Sequence, residues 1–318
     1  MEFVNLIPYS IPLGVFLIAT EVFISVRYDE HLYDWKDSAA SAVMGLVATL
    51  LGIVTKAATL GFFYIFYELF KSLRIECFGY ESLGWAWWVW ALAILGDDHN
   101  FYWHHRFSHT IRVLWAAHVV HHSSERFNLG TSFRNGWVIF FYKPILWIWM
   151  PAIGFHPVMV LTAISINSMY QFFLHSKKVP HLGILEEIFN TPQLRQLHHS
   201  SNVAFLDKNH GGILIWDKLF GTYLDSRKYS EERKFGVLTP LNSYNPMVIF
   251  AHEYNNIWKD IKNAPTFIDK LKYIFYPPGW SHDNSRLTAK QMQRLAEQEK
   301  LQLRSQPKLV AEPVEKVV

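Results

Sequence analysis

The stretch GWVIFFYKPILWIWMPAIGFHPVMVLTAISINSMYQFFL, Gly136 to Leu174, runs for 39 residues with one formal charge, Lys143. A membrane-crossing helix needs roughly 20 mostly apolar residues, so the stretch is about long enough for two passes. Gly154-Phe155-His156-Pro157 supplies a turn signal a little past its middle. The reading is a helical hairpin. Outward from it lie two more blocks of the same kind. Leu6 to Val26 is 21 residues with one charge, Glu21, and Ala39 to Tyr67 is 29 residues with one charge, Lys56. Trp85 to Leu95 is apolar but too short to cross; it lies at the interface or continues into a helix that leaves the membrane.

Composition agrees. The 318 residues are 50% hydrophobic and 18% charged, against roughly 25% charged in an average globular domain. That excludes a disordered chain. The single cysteine, Cys77, excludes a disulfide scaffold. A net charge of +3 is too small to argue for nucleic acid. Leu6 to Val26 lacks a basic leader and a clear small-residue cleavage site, so it reads as a retained helix. The expected fold is all-α and integral to a membrane, with about four transmembrane helices in two hairpins and a helical, histidine-rich cap. The expected organisation is N-terminal membrane helices over 1–96, a histidine-rich region over 97–240 that includes the hairpin 136–174, an amphipathic C-terminal region over 241–307, and a loose tail over 308–318. The loop from Arg27 to Asp37 has two basic and four acidic residues, whereas the chain from His175 onward has 20 of the 30 Lys and Arg. Basic residues favour the cytoplasmic side. The acidic loop is therefore placed outside, with the polar regions and the C-terminus in the cytoplasm.

Histidine bears the chemistry. Of 16 His, 13 fall between His99 and His210. His105 and His109 are four apart, one turn along a helix face, which is a chelating spacing. His118 pairs with His121 at i+3 and with His122 at i+4, while His121 and His122 point about 100° apart. One helix thus offers ligands in two directions, which suits two metals better than one. His175 closes the hairpin, and His198-His199 gives another pair. Eight histidines, at 105, 109, 118, 121, 122, 175, 198 and 199, are candidate ligands. Eight is too many for one tetrahedral zinc, and neutral imidazole suits zinc, copper, iron and nickel alike. Asp98 and Glu125 are carboxylates able to fix the tautomer of a ligand ring, and a helix would put Asn128 on the same side as Glu125. His104, His99, His210 and Gln171 lie beside the ligand runs as support. Two rivals are weak. A zinc hydrolase would need a general base as in H-E-x-x-H, and no such run occurs. A bis-histidine haem protein would put its ligands within the apolar blocks, and here they cluster outside them.

The runs His105-x3-His109, His118-x2-His121-His122 and His198-His199 resemble the three histidine boxes of the fatty acid hydroxylase/sterol desaturase superfamily. Flanking residues sharpen the likeness to its alkylglycerol monooxygenase-like branch: Tyr102-Trp103-x-His105-Arg106, Leu114-Trp115-x-x-His118, His121-His122-Ser123-Ser124-Glu125-x-x-Asn128, Tyr170-Gln171-Phe172-x-x-His175, Asn190-Thr191-Pro192, Asp207-Lys208-Asn209 and Ile215-Trp216-Asp217-x-Leu219-Phe220-Gly221-Thr222. The resemblance implies a non-haem di-iron oxygenase that hydroxylates or desaturates a lipid C–H bond. It implies two iron ions held by the eight histidines, O2 as co-substrate, and an external electron donor, either tetrahydrobiopterin or a ferredoxin or cytochrome. The setting it implies is the bacterial inner membrane, with the histidines on the cytoplasmic side. One position departs. The third box of the family reads H-x2-HH, and Arg195 stands where its first histidine would be. Arginine stays protonated and offers no lone pair. The alternative is therefore a catalytically impaired relative that binds metal or lipid.

Overall fold

The computed structural model describes residues 7–28 and 30–305. The tail expected over 308–318 lies outside them. The described residues are helical, with isolated bridges such as Phe189 to Ile213 and no strand. The all-α expectation holds.

Five segments run lengthwise between two ends. Helix α1 (Ile7–Arg27) rises, and α2 (Trp35–Leu69) descends from an N-cap at Asp34, whose side chain accepts from the Lys36 and Asp37 amides. A short α3 (Lys71–Phe78) ends at the left-handed Gly79 and crosses the far end. Helix α4 (Trp87–Thr110) rises again, α5 (Arg112–His122) follows after an extended break at Ile111, and the 136–174 hairpin descends and returns. At the far end Arg74 Nη1 donates to the Ala152 carbonyl, and Gly154 O accepts from the Leu83 amide. At the other end lie the histidines.

The hairpin differs from expectation in its first arm. Its return arm is one helix, α6 (Pro157–Phe173), with proline at its first position and His156 capping the Val158 amide. The descending arm is broken into short helical turns over Ile139–Tyr142, Lys143–Trp147 and Trp149–Ala152. Pro144 and Pro151 remove donors there. The indoles of Trp147 and Trp149 instead donate to Asp97 and Asn100 on α4. This arm is a wedge with one face inward, with Trp147 and Met150 sealed in a core with Phe63, Val89, Ala93, Met159 and Val160 and with Phe141 and Ile145 exposed on the other face.

The placement of the Arg27–Asp37 loop opposite the histidines is overturned. Asn128 donates to Leu32 O and Arg126 to His31 O, while Arg134 pairs with Asp37 and Lys178 with Glu30. The loop sits at the histidine end. Glu21, the one charge of the first apolar block, accepts there from Tyr33, Ser176 and the Leu129 amide. The charge count misled because it assumed that Trp85–Leu95 does not cross. That stretch begins the full-length α4, which runs the length of the molecule and so reverses the direction of the earlier segments.

The helical run Trp35–Phe78, α2 continued by α3, is the one run among the described residues long and apolar enough to cross a membrane by length and composition. Large apolar side chains face outward along the shaft, among them Phe16, Ile53, Val54 and Trp87, the last 81% exposed. Over the histidine end pack α7 (Pro192–His198), α8 (Pro246–Asn263), α9 (Phe267–Phe275) and α10 (Ala289–Ser305). Arg112, at the start of α5, anchors α8 through Glu253 and Asp260 at 2.8 and 2.6 Å.

Candidate metal centre

The last two turns of α4 present His105 and His109, and α5 presents His118, His121 and His122. His175 follows α6 directly, and α7 delivers His198 with His199 as its C-cap. Thr191 caps α7 and Pro192 starts it, so Asn190-Thr191-Pro192 fixes where that helix begins. All eight rings are buried. They fall into two adjoining pockets. His105, His109, His118, His122 and His198 form one, and His121, His175 and His199 the other, with ring nitrogens in each within 4.8 Å of one another. His122 stacks on His199 at 4.3 Å across the boundary.

Backbone carbonyls set the tautomers. His105 Nδ1 donates to His210 O at 2.6 Å, His198 Nδ1 to Lys208 O at 2.7 Å, and His175 Nδ1 to Gln171 O at 2.7 Å. His121 Nδ1 faces Arg134 O at 3.3 Å, and His109 Nδ1 faces the Asp207 carboxylate at 3.3 Å. With Nδ1 so committed, Nε2 holds the lone pair. Those lone pairs converge: His175 Nε2 lies 3.0 Å from His121 Nε2 and 3.1 Å from His199 Nε2. Nε2 of His105, His109 and His198 has no hydrogen-bond partner. Buried acceptors aimed at one another need a shared cation, so the donor set fits a divalent transition metal. Charge state fits as well. Burial, followed by neighbouring charges, holds His105, His118, His122, His198 and His199 well below the ordinary 6.5 and His121 down to about 3. Neutral imidazole is the ligating form.

The loop 207–212 is the collar of the five-histidine pocket. Asp207 and Asn209 adopt left-handed backbone, at φ 56° and 54°, a region that Asn and Asp tolerate. Asp217 accepts from the His210 and Gly211 amides, both at 2.8 Å. Asn190 donates to Asn209 O and Gly211 O. Sequence reasoning assigned Asp207, Asp217 and these carbonyls no role at the metal. The signal open to it was the run Asp207-Lys208-Asn209-His210-Gly211-Gly212, rich in residues that accept tight turns.

The expected support residues are placed differently. Asp98 touches no ligand ring; it accepts from Gly212 N, Ile213 N and Trp216 Nε1 at 3.1, 2.9 and 3.0 Å and so holds the collar. The helix expected over Glu125–Asn128 does not form, because α5 ends at Ser123, whose hydroxyl bonds back to Val120 O. Glu125 is exposed, and Asn128 caps Leu129–Phe133. His104 stacks on Tyr142 and lies in neither pocket. His99 accepts from Trp103 Nε1. His210 is fully buried with both ring nitrogens unpartnered, and its ring lies 5.0 Å from that of His109. The Gln171 side-chain amide donates to Asn167, while its backbone carbonyl orients His175. Arg195 enters the three-histidine pocket, with Nη2 3.4 Å from His121 Nε2. Burial lowers it to about 9, which leaves it charged at neutral pH.

A cavity of about 670 Å³ opens onto both pockets through His109, His122, His198 and His199. Its wall joins apolar Val119, Leu206, Leu241 and Val248 to polar Arg112, Glu253 and Asn256.

A membrane-type helical shaft ending in paired histidine pockets defines a class, and the comparisons agree with it. Residues 90–222, which hold all eight converging histidines, match the model of the fatty acid hydroxylase family. The superfamily named from the histidine runs is therefore the one found. Among relatives, the chain is 31% identical over 287 residues to the alkylglycerol monooxygenase of Homo sapiens, covering 85% of this chain and 60% of that protein. It is 31% identical over 260 residues to the Xenopus tropicalis alkylglycerol monooxygenase, covering 80% and 56%. It is 28% identical over 134 residues to the ornithine lipid hydroxylase OlsE of Rhizobium tropici, covering 42% and 40%. The chain thus spans about 60% of the length of the human alkylglycerol monooxygenase. No solved structure matches it.

Proposed function

We propose that this protein is a membrane-bound, non-haem iron oxygenase that hydroxylates, or desaturates, a lipid C–H bond with O2 and an external reductant. The observation that bears the proposal is the convergence of eight buried imidazoles into two adjoining pockets, four of whose rings open onto a partly apolar cavity. The five- and three-histidine pockets are the two metal positions of a dinuclear architecture. The family match and relatives called monooxygenase and lipid hydroxylase support the reaction class. The shaft lies in the membrane, in this reading the bacterial inner membrane, with the histidine end and its basic cap cytoplasmic. Bound iron, given O2 and two electrons from a reduced pterin or a ferredoxin- or cytochrome-type donor, supplies the oxidant that puts one oxygen atom into the C–H bond and releases the other as water. The chain's part is placement. Val119, Leu206, Leu241 and Val248 bury an alkyl segment and exclude water, while Arg112, Glu253 and Asn256 face the polar part of the lipid. The collar carbonyls hold the imidazoles so that iron and substrate meet at fixed geometry.

The test is turnover of ether lipids, ornithine lipids and fatty acyl lipids by detergent-purified, iron-loaded protein under O2 with tetrahydrobiopterin or reduced ferredoxin. Oxygenated product that disappears in His122→Ala supports the reading. Iron retention and product unchanged in His122→Ala remove it. One observation favours a second reading: Arg195 sits against a ligand, as a metal- or lipid-binding relative without turnover would allow. Such a relative binds iron and lipid and yields no product with any donor.

A further inference from the structure

The two pockets are unequal. One gathers five imidazoles, and the other gathers three. Arg195 accounts for the difference in the second. It lies on α7 four residues before His199, so both side chains leave the same face of the helix. The residue is 3% exposed. Its Nη2 reaches His121 Nε2 at 3.4 Å, and its Nε and Nη1 have no hydrogen-bond partner. Among the described residues no carboxylate forms an ion pair with it, whereas the equally buried Arg112 and Arg134 pair with carboxylates and Arg74 donates to backbone carbonyls. A guanidinium has N–H donors on every edge and no lone pair. It therefore cannot complete the coordination of an ion at His121, His175 and His199, and it can satisfy the converging lone pairs of those rings itself. A fixed positive charge on the pocket wall also repels a dication directly.

We propose that this chain holds one divalent transition-metal ion, in the five-histidine pocket, and that the Arg195 guanidinium stands in for the second cation in the three-histidine pocket. The inference rests on the reading of the eight histidines as metal ligands and refines its occupancy. Each pocket then has a cation facing its lone pairs, one exchangeable and one covalently part of the chain. The first pocket also has His210 at its edge, a fully buried imidazole with both nitrogens free, so the richer donor set lies on the side that takes the ion.

Occupancy is read without turnover. Full-length protein in detergent is loaded anaerobically with Fe(II), or with Co(II) as a spectroscopic stand-in, then desalted and analysed for metal per chain. The expected result is about one ion per chain, rising to about two in Arg195→His. The single ion is lost in His118→Ala and kept in His175→Ala, and this pair decides the matter even if Arg195→His fails to fold. Two ions per chain in the unaltered protein overturn the inference. So does an ion lost in His175→Ala but kept in His118→Ala. The functional reading fails separately: one ion per chain with no lipid oxidation leaves the occupancy standing and removes the oxygenase, and two ions with oxidation do the reverse.

Discussion

His121 and His122 are neighbours in sequence, yet they serve different pockets because a helix turns about 100° per residue. That much followed from spacing alone, as did the i+4 pairing of His105 with His109. The partners that aim the rings did not. Asp207 is 98 positions from His109 in sequence and was quoted only as part of a motif, yet its carboxylate faces His109 Nδ1. Asp207→Asn keeps the shape and removes the charge. It is expected to weaken metal affinity about 10- to 100-fold, the usual range for a partner that orients a ligand. Competitive titration with a chelator measures this, and an unchanged affinity would show that the collar carbonyls suffice. Asp98 teaches the opposite lesson. Its nearness to the ligands in sequence suggested a contact with a ring, and it spends its oxygens on backbone amides of the collar instead.

At the scale of elements, the helices bearing the histidines were legible because their ligands recur at helical spacing. The descending hairpin arm was not, because apolar content does not distinguish a spanning helix from a half-buried wedge. Pro144 and Pro151 were the visible warning. The loop 207–212 is irregular and gave no period to read, though it sets two tautomers. Asp217→Asn places an amide against the His210 and Gly211 N–H groups and is expected to loosen the collar. Metal affinity of the five-histidine pocket should fall about 10-fold or more, with helical content by circular dichroism unchanged; full affinity would mean that Asn190 and Asp98 together secure the loop. Close packing of α5 against the chain entering the hairpin is tested at Gly136, where a Cβ would strike the Ala117 carbonyl. Backbone cannot swing aside, so Gly136→Ala is expected to destabilise by about 1–3 kcal/mol, as overpacking does. An unchanged thermal midpoint in detergent would show that the hairpin can shift as a body.

For the whole molecule, the class was legible and its topology was not. Counting charges put Arg27–Asp37 at the wrong end, because the length of α4 depends on its polar half packing against the hairpin. The buried imidazoles have a global consequence for stability. Their folded-state pKa values lie below the unfolded 6.5, so below about pH 6.5 the unfolded chain binds more protons than the folded one. Stability is therefore full above that pH and is lost on acidification. The thermal midpoint of metal-free protein should fall between pH 7 and pH 5, and a flat or rising midpoint would place the rings in water. The same convergence of lone pairs bears on how the protein is made. Rings fixed by carbonyls before any ion arrives act like a latch that closes only on its bolt, so on the proposed reading the supply of that ion is expected to set the lifetime of each newly made chain. Chains synthesised under iron chelation should emerge with the latch sprung and reach quality-control proteases early. Pulse-labelling would show this as a shortened half-life, and an equal half-life with and without chelator would mean that the latch closes unaided.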